Sequence, residues 1–592
     1  MKLDQDFRRS TLPAVAGVLL VILYFQIAWF NDWFQLANFD YLSDSNTHLF
    51  MMPSVQLASM LWKLLLLLPA SFLLAWSLAA AGVCVRLPRW TTKKYFPILL
   101  AGLASLIIAC MIIFVFRSTE VTDDELAYLF QAKTYLAGRL FNPPAPVPQS
   151  FYNVFIIDKA TEFVSMYQFG HPVVLAVGML LGSEYILTVL ASAASLVLLA
   201  GIARNLFDDG RVASVSSLLL FFSPFFYFLS SSRLSQTTTL FCFSAFFLLY
   251  LKIFEEKKEL KHPYSLALLA GLLAGFAANI RPLTAIAFLF PFLVLILYRL
   301  SKSQVRRPLS VLFMGAGFFV MVLLTLLYDK VITGDYFLSP ITFYDPTFKL
   351  GFRSFMHTIG SALQNLGYNI GRMDAFLFGF PASLLFAFLM FFRHRLDFGD
   401  KLALAIVACF AGAYLFWWIP GVSDLGPTLY YECLIPLILL SSRGFLWLHD
   451  LMKSRSPAFR AFPANLLVLS VVLSLATFVP ERVTHISRLT RAIDVPYALL
   501  QEQHVHNAVV FIVSWPDQGW VFGYRNNAPS FDNDVVFCHY RDAESNARVL
   551  EHFKGRAVYV LLTHRISKQC EVREVTREEL LSTDWKAAAK QG

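Results

Sequence analysis

The sequence predicts an all-α polytopic membrane protein that carries a small α/β domain at its C-terminal end. Three observations predict it. The 592 residues are 57% hydrophobic and only 15% charged, far less charged than a soluble chain of this size. About thirteen apolar runs reach or approach the ~20 residues that cross a bilayer core. After residue 480 that pattern stops, and short β-like runs ("AVVFIVSW", "DVVFCHY", "AVYVLLTH") alternate with helical stretches.

Taken along the chain, the runs give three units. Residues 1–94 read as a two-helix transmembrane hairpin whose basic start and long apolar run mark a retained first span rather than a cleaved signal. Residues 95–480 hold the main helical domain, with expected spans that include 212–229, 374–392, 402–419 and 428–449, and an interfacial or re-entrant helix near 171–182. Residues 481–592 form the soluble domain. The net charge of +9 comes largely from Lys and Arg in short loops such as "RLPRWTTKK" and "YRLSKSQVRRP". That bias is a topology signal and no sign of nucleic-acid binding; it places the N-terminus in the cytoplasm and the long loops 117–170 and 329–373, with the C-terminal domain, outside. Long loops gathered on one face locate function there. Of the seven Cys, Cys538 and Cys570 fall in the C-terminal domain, where a disulfide and a pair of free thiols are both open.

The stretch "TDDELAYLFQAKTYLAGRL" follows the apolar run that ends at Phe116. Thr122-x-x-Glu125 has the form of a capping box, and acids in a first turn complement the helix dipole. Asp124, Tyr128, Gln131 and Tyr135 recur at helical spacing, so they share a polar, aromatic face that suits a cavity. A carboxylate there can accept a proton from an attacking hydroxyl. Thr122 and Glu125 can cap while Asp124 works.

With these acids the chain resembles the GT-C superfamily of membrane glycosyltransferases, nearest to the protein O-mannosyltransferase and aminoarabinose lipid A transferase type. The resemblance rests on the acidic pair Asp124-Glu125 opening a helix after an early span, on "MYQFGHPVVLAVG", on "LAGLLAGFAANIRPLTA", and on "GPTLYYECLIPLIL", over roughly 95–450. Three departures stand out: Gln168-Phe169 replaces a double proline, Gln236 stands near where many relatives have an acid, and Thr428 holds the place of an Arg. The resemblance implies a GT-C-like fold, a polyprenyl-phosphate-linked sugar donor, a cell-envelope acceptor and a bacterial inner membrane. It implies Asp124 as catalytic base, with Glu125 and Asp123 beside it.

The residue chemistry completes the expected site. Arg281, before Pro282 at the end of an apolar run, is costly unless it meets water, a headgroup or a ligand, and its fork matches phosphate oxygens. His171 is the second donor-phosphate candidate, against a structural role next to Pro172. Tyr128, Tyr167, Arg233, Tyr344 and Arg353 are candidates for substrate binding, Arg233 also reading as a solvated loop residue. No metal-ligand spacing is present and no cofactor is required; a divalent cation at the three acids is the lesser alternative. A transporter of lipid-linked glycans competes with the enzyme, although the sequence carries no internal repeat of the transporter kind.

Overall fold

The computed structural model describes residues 10–26, 53–85, 88–159, 162–255, 259–353, 356–455, 460–514, 527–563 and 570–591. The expected loop between the first two spans, 27–52, lies outside the described residues, as does residue 592.

The molecule is mostly helical. Among the described residues, eight helices are long and apolar enough to cross a membrane, or nine if one bent pair is a single span. Thirteen runs were expected, and three of the differences have local causes. The run 212–229 bends by 58° between Gly210–Phe221 and Pro224–Ser230. Pro224 cannot continue the preceding helix, and Ser223 caps the new one by accepting the Phe226 N–H at 3.4 Å. The run 374–392 is broken. The helix Ile359–Leu377 ends before Gly379, whose φ is +63°, and Asp374 accepts the N–H groups of Ala382 (2.7 Å) and Leu384 (2.9 Å) to hold the turn. The helix expected over 402–419 is Phe398–Tyr414, 17 residues long. Ser10–Gln26 and Gly170–Leu180 are shorter apolar helices.

The span helices Pro263–Ile280 and Pro308–Thr333 pack backbone against backbone. A Cβ added at Gly271 would lie 1.9 Å from the Met314 carbonyl oxygen, and one at Gly317 would lie 2.3 Å from that of Leu268. Small residues let the two backbones touch, the usual basis of helix association in lipid. Gly271→Ala is therefore expected to destabilise the protein by about 1–3 kcal/mol through overpacking, read as a lower thermal transition of the purified protein in detergent.

Among the described residues three small sheets complete the fold. β1 (Ile156–Lys159) and β2 (Glu162–Ser165) form an antiparallel hairpin within the 117–170 loop. β3 (Val422–Ser423) and β4 (Gly426–Pro427) form another just before the Thr428–Ser454 span. The C-terminal sheet runs β6-β5-β7-β8, built from β5 (Ala508–Ser514), β6 (Val535–His539), β7 (Ala557–Thr563) and β8 (Cys570–Glu574). β5 pairs parallel with both β6 and β7, and β8 is antiparallel. Cys538 and Cys570 are not bridged to each other, because β6 and β8 are opposite edges of this sheet, about 14 Å apart at ~4.8 Å per strand, too far for a disulfide.

The C-terminal domain does not stand apart. One hydrophobic cluster joins Phe151, Ile156 and Phe163 of the 117–170 loop to Val509, Phe511 and Phe531 of the C-terminal domain, and Ala127 of the helix Asp123–Leu136 is part of it. The Phe151 and Phe531 rings are 4.5 Å apart between centroids. Polar ties follow the same seam: Gln149 Nε2 donates to Ser545 Oγ (3.2 Å) and Arg541 Nε donates to the Gln149 carbonyl (2.8 Å).

Candidate active site

The acid helix, Asp123–Leu136, begins seven residues after the Phe96–Phe116 span ends. Left-handed backbone at Arg117 and Ser118 turns the chain, and Arg117 Nε and Thr119 Oγ1 both bond Asp494 (3.0 and 2.8 Å) to fix the turn. Glu125 then anchors the helix start. Its Oε2 accepts the N–H groups of Val121 (2.7 Å) and Thr122 (3.2 Å), and its Oε1 accepts the Arg233 N–H (2.7 Å). Every oxygen of this buried carboxylate is occupied by backbone donors, so Glu125, expected beside the base, has a capping and anchoring role. Burial still pushes its carboxyl up, to about 7, against the nearby Arg233 charge.

Asp124 is half-buried, and its Oδ1 accepts a short hydrogen bond from the Tyr167 hydroxyl. Burial raises its carboxyl above the usual range, while the Tyr167 bond and the Arg281 charge pull it back. Asp123 next to it has an Oδ1 that is buried with no hydrogen-bond partner, and burial with the Asp124 charge pushes it up to about 8. The folded protein thus keeps the Asp123 proton up to about pH 8, whereas the unfolded chain releases it near 3.8. Unfolding releases a proton within that window, so this group's effect is to lower stability as pH rises through it. Asp123→Asn is expected to flatten that slope, so that the variant's thermal transition gains on the wild type's between pH 4 and 8 and matches it below.

The rest of the predicted polar face is packed. Tyr128 is buried, donates to Ser235 Oγ (3.1 Å), and has its ring 4.4 Å from Tyr167 and 4.8 Å from His171. Gln131 is spent on the Leu140 carbonyl and the Ser165 N–H, and Tyr135 on Tyr328. Asp124, at one end of this face, stays half-buried.

Arg281 reaches the site through local sequence logic. Pro282 starts the next span, and a residue before proline is driven out of the helical region; Arg281 has φ −140° and ψ 81°. The break lies between two membrane helices and turns the guanidinium inward. Nε donates to Thr284 Oγ1 (3.2 Å) and lies 3.3 Å from Glu432 Oε1. Two residues earlier, Asn279 Oδ1 accepts the Gly170 N–H (2.8 Å). A Cβ at Gly170 would stand 2.6 Å from that oxygen, so a glycine is needed for this contact, which pins the Tyr167 loop beside Arg281.

The remaining expected residues fall in three places. His171 is buried with both ring nitrogens occupied, Nδ1 by Thr238 Oγ1 (3.0 Å) and Nε2 by the Arg233 carbonyl (2.7 Å), which leaves it bracing Tyr128. Arg233 is no solvated loop residue. It is buried, paired with Glu184 (2.8 Å) and Glu120 (3.3 Å), and lies over the Tyr185 ring, because a buried guanidinium needs both charge and hydrogen-bond partners. Tyr344 accepts the Phe155 N–H (3.2 Å) and lies 3.5 Å from the hydroxyl of exposed Tyr152, whose own position is close enough to Asp123 to feel its charge. Arg353 bonds the Thr347 carbonyl and shapes the second long loop. Among the described residues no group of three or more His, Cys, Asp or Glu side chains is arranged to hold a metal ion.

Sequence reasoning missed Glu432. The signal was available: a lone acid in "LYYECLIPLIL", at the mouth of a span, is costly unless it is paired.

The crystal structure of ArnT from Cupriavidus metallidurans in the apo state is similar to this chain with a TM-score of 0.52 at 14% identity, over 82% of this chain and 99% of that one. The chain has the GT-C fold. ArnT from the same organism bound to undecaprenyl phosphate gives 0.49 at 13% identity over 78% and 93%. The oligosaccharyltransferase AglB from Archaeoglobus fulgidus, in complex with an inhibitory peptide and a dolichol-phosphate, gives 0.41 at 11% over 83% and 75%. Residues 173–328 match the family model for dolichyl-phosphate-mannose-protein mannosyltransferase, a part of the GT-C fold that runs from the helix after the Tyr167 loop to Tyr328 and includes Arg281. No curated protein matches the chain in sequence.

Proposed function

We propose that this protein is an integral membrane glycosyltransferase that moves a sugar from a polyprenyl-phosphate donor to a cell-envelope acceptor on the outer side of a bacterial inner membrane. The observation that carries the reading is a carboxylate, Asp124, held by the Tyr167 hydroxyl at the start of the acid helix, with a guanidinium, Arg281, set at a break between two spans and close enough for its charge to act on that carboxylate. The fold and the family match support it.

In this reading Asp124 takes the proton of the acceptor hydroxyl as its oxygen attacks the anomeric carbon. The bond from that carbon to the phosphate oxygen breaks in the same displacement, which inverts the centre. Polyprenyl phosphate leaves as an anion, so the site supplies charge and needs no second acid; Arg281 is the group placed to supply it. Tyr152 and Tyr344, whose hydroxyls are 3.5 Å apart, are the groups we assign to the acceptor, because Tyr152 is exposed and feels the Asp123 charge. The test is the purified full chain offered a panel of synthetic polyprenyl-phosphate sugars with cell-envelope extract as acceptor. Release of free polyprenyl phosphate together with labelled acceptor supports the reading, and no turnover with any member of the panel overturns it.

A further inference from the structure

Arg281 has an anion bound beside it already. Glu432, near the start of the Thr428–Ser454 span, is fully buried. Its Oε1 lies 3.3 Å from Arg281 Nε and accepts the Thr239 hydroxyl as well. Its Oε2 is buried with no hydrogen-bond partner. Among the described residues Arg281 is the one cation paired with this carboxylate, so a charge withdrawn from water leans on a single guanidinium. Thr284 holds the same Nε, and its hydroxyl is 2.5 Å from that of Tyr414, so the guanidinium keeps a neutral support independent of Glu432. The Arg281 charge also acts on Asp124.

We infer that Glu432 is a built-in competitor for the donor phosphate: it neutralises Arg281 in the empty site and limits how tightly the leaving polyprenyl phosphate is gripped. The inference rests on the proposed role of Arg281. Two anions share one guanidinium, so the phosphate gains only what the ion pair gives up. A phosphate held by an uncompensated, poorly solvated Arg would leave slowly. The carboxylate exchanges some affinity for release, acting as a positioning residue through Arg281 without touching the reacting atoms.

The experiment is equilibrium binding and dissociation of undecaprenyl phosphate, in detergent micelles, to the purified full chain. Glu432→Gln keeps the shape and removes the charge, which leaves Arg281 unmatched; it is expected to bind about tenfold tighter than wild type and to release more slowly. Arg281→Ala is expected to bind at least about tenfold weaker, and the double variant no tighter than Arg281→Ala alone. Glu432→Asp, which draws the carboxylate back, is expected to fall between wild type and Glu432→Gln, and it decides the matter should the Gln variant fail to fold. A gain of affinity cannot come from a damaged fold. Binding by Glu432→Gln equal to or weaker than wild type with an intact thermal transition overturns the inference, as does the same tightening in the absence of Arg281. If Arg281→Ala binds like wild type, the phosphate role of Arg281 falls and takes this inference with it; a normal Arg281→Ala loss without a Glu432→Gln gain removes the competitor alone.

Discussion

Asp124→Asn is expected to cut transfer by about 10²–10⁴-fold, the usual worth of a positioned general base, while the folded protein is retained. The amide fills the same space and can still meet the Tyr167 hydroxyl, so the fold loses little. It cannot take the proton of an attacking hydroxyl. Burial already makes ionised Asp124 expensive, and that argues for an unchanged or slightly higher thermal transition in the variant. Tyr167→Phe sharpens the test. Its hydrogen bond lowers the Asp124 carboxyl, so removing it should move the acid limb of the pH–rate profile to higher pH. Turnover by Asp124→Asn at wild-type rate in a purified assay would remove Asp124 from the chemistry.

Truncation after Glu502 is expected to abolish activity rather than reduce it. The acid helix contributes Ala127 to a core it shares with the C-terminal sheet, and the Phe151 and Phe163 rings of its loop pack on Phe531. Without that sheet the loop would expose these rings, and the helix that aims Asp124 would lose one of its two supports. Phe151→Ala tests the same coupling in the intact chain. A fully buried Phe removed from such a core costs about 3–5 kcal/mol, and the loss should appear both in turnover and as faster proteolysis of the 117–170 loop. A truncated protein that keeps wild-type turnover would show the C-terminal domain to be a passive appendage.

The positions of Asp124 and Arg281 were legible because each breaks a local rule. Acids directly after a span and an Arg-Pro between two apolar runs both demand partners, and Asp124 has Tyr167 and Arg281 has Glu432. The character of Glu125 was legible too, since the capping spacing is a chain-local fact. What hid was set by contacts across the fold. Nothing near Arg233 in sequence announces Glu120 and Glu184, so a buried ion-pair centre looks like a loop cation. His171 reads as a phosphate ligand until Thr238 and the Arg233 carbonyl fill both ring nitrogens. The span near 374–392 has the hydropathy of a membrane helix, but Gly379 and the Asp374 turn fold it back, and average hydropathy does not register a turn.

The seam between the 117–170 loop and the C-terminal sheet also orders events during synthesis. Gln149 meets Ser545 across 396 residues of chain. The acid helix leaves the ribosome early, yet its supporting core is completed only when the last strands arrive. Contacts of such long separation are slow to form and come late. A nascent chain would therefore insert its spans and carry Asp124 for most of its translation without the finished support of its helix. Maturation of the proposed activity would coincide with the folding of the final hundred or so residues, and a pulse-chase of activity against chain completion would show a lag with no partial activity before it.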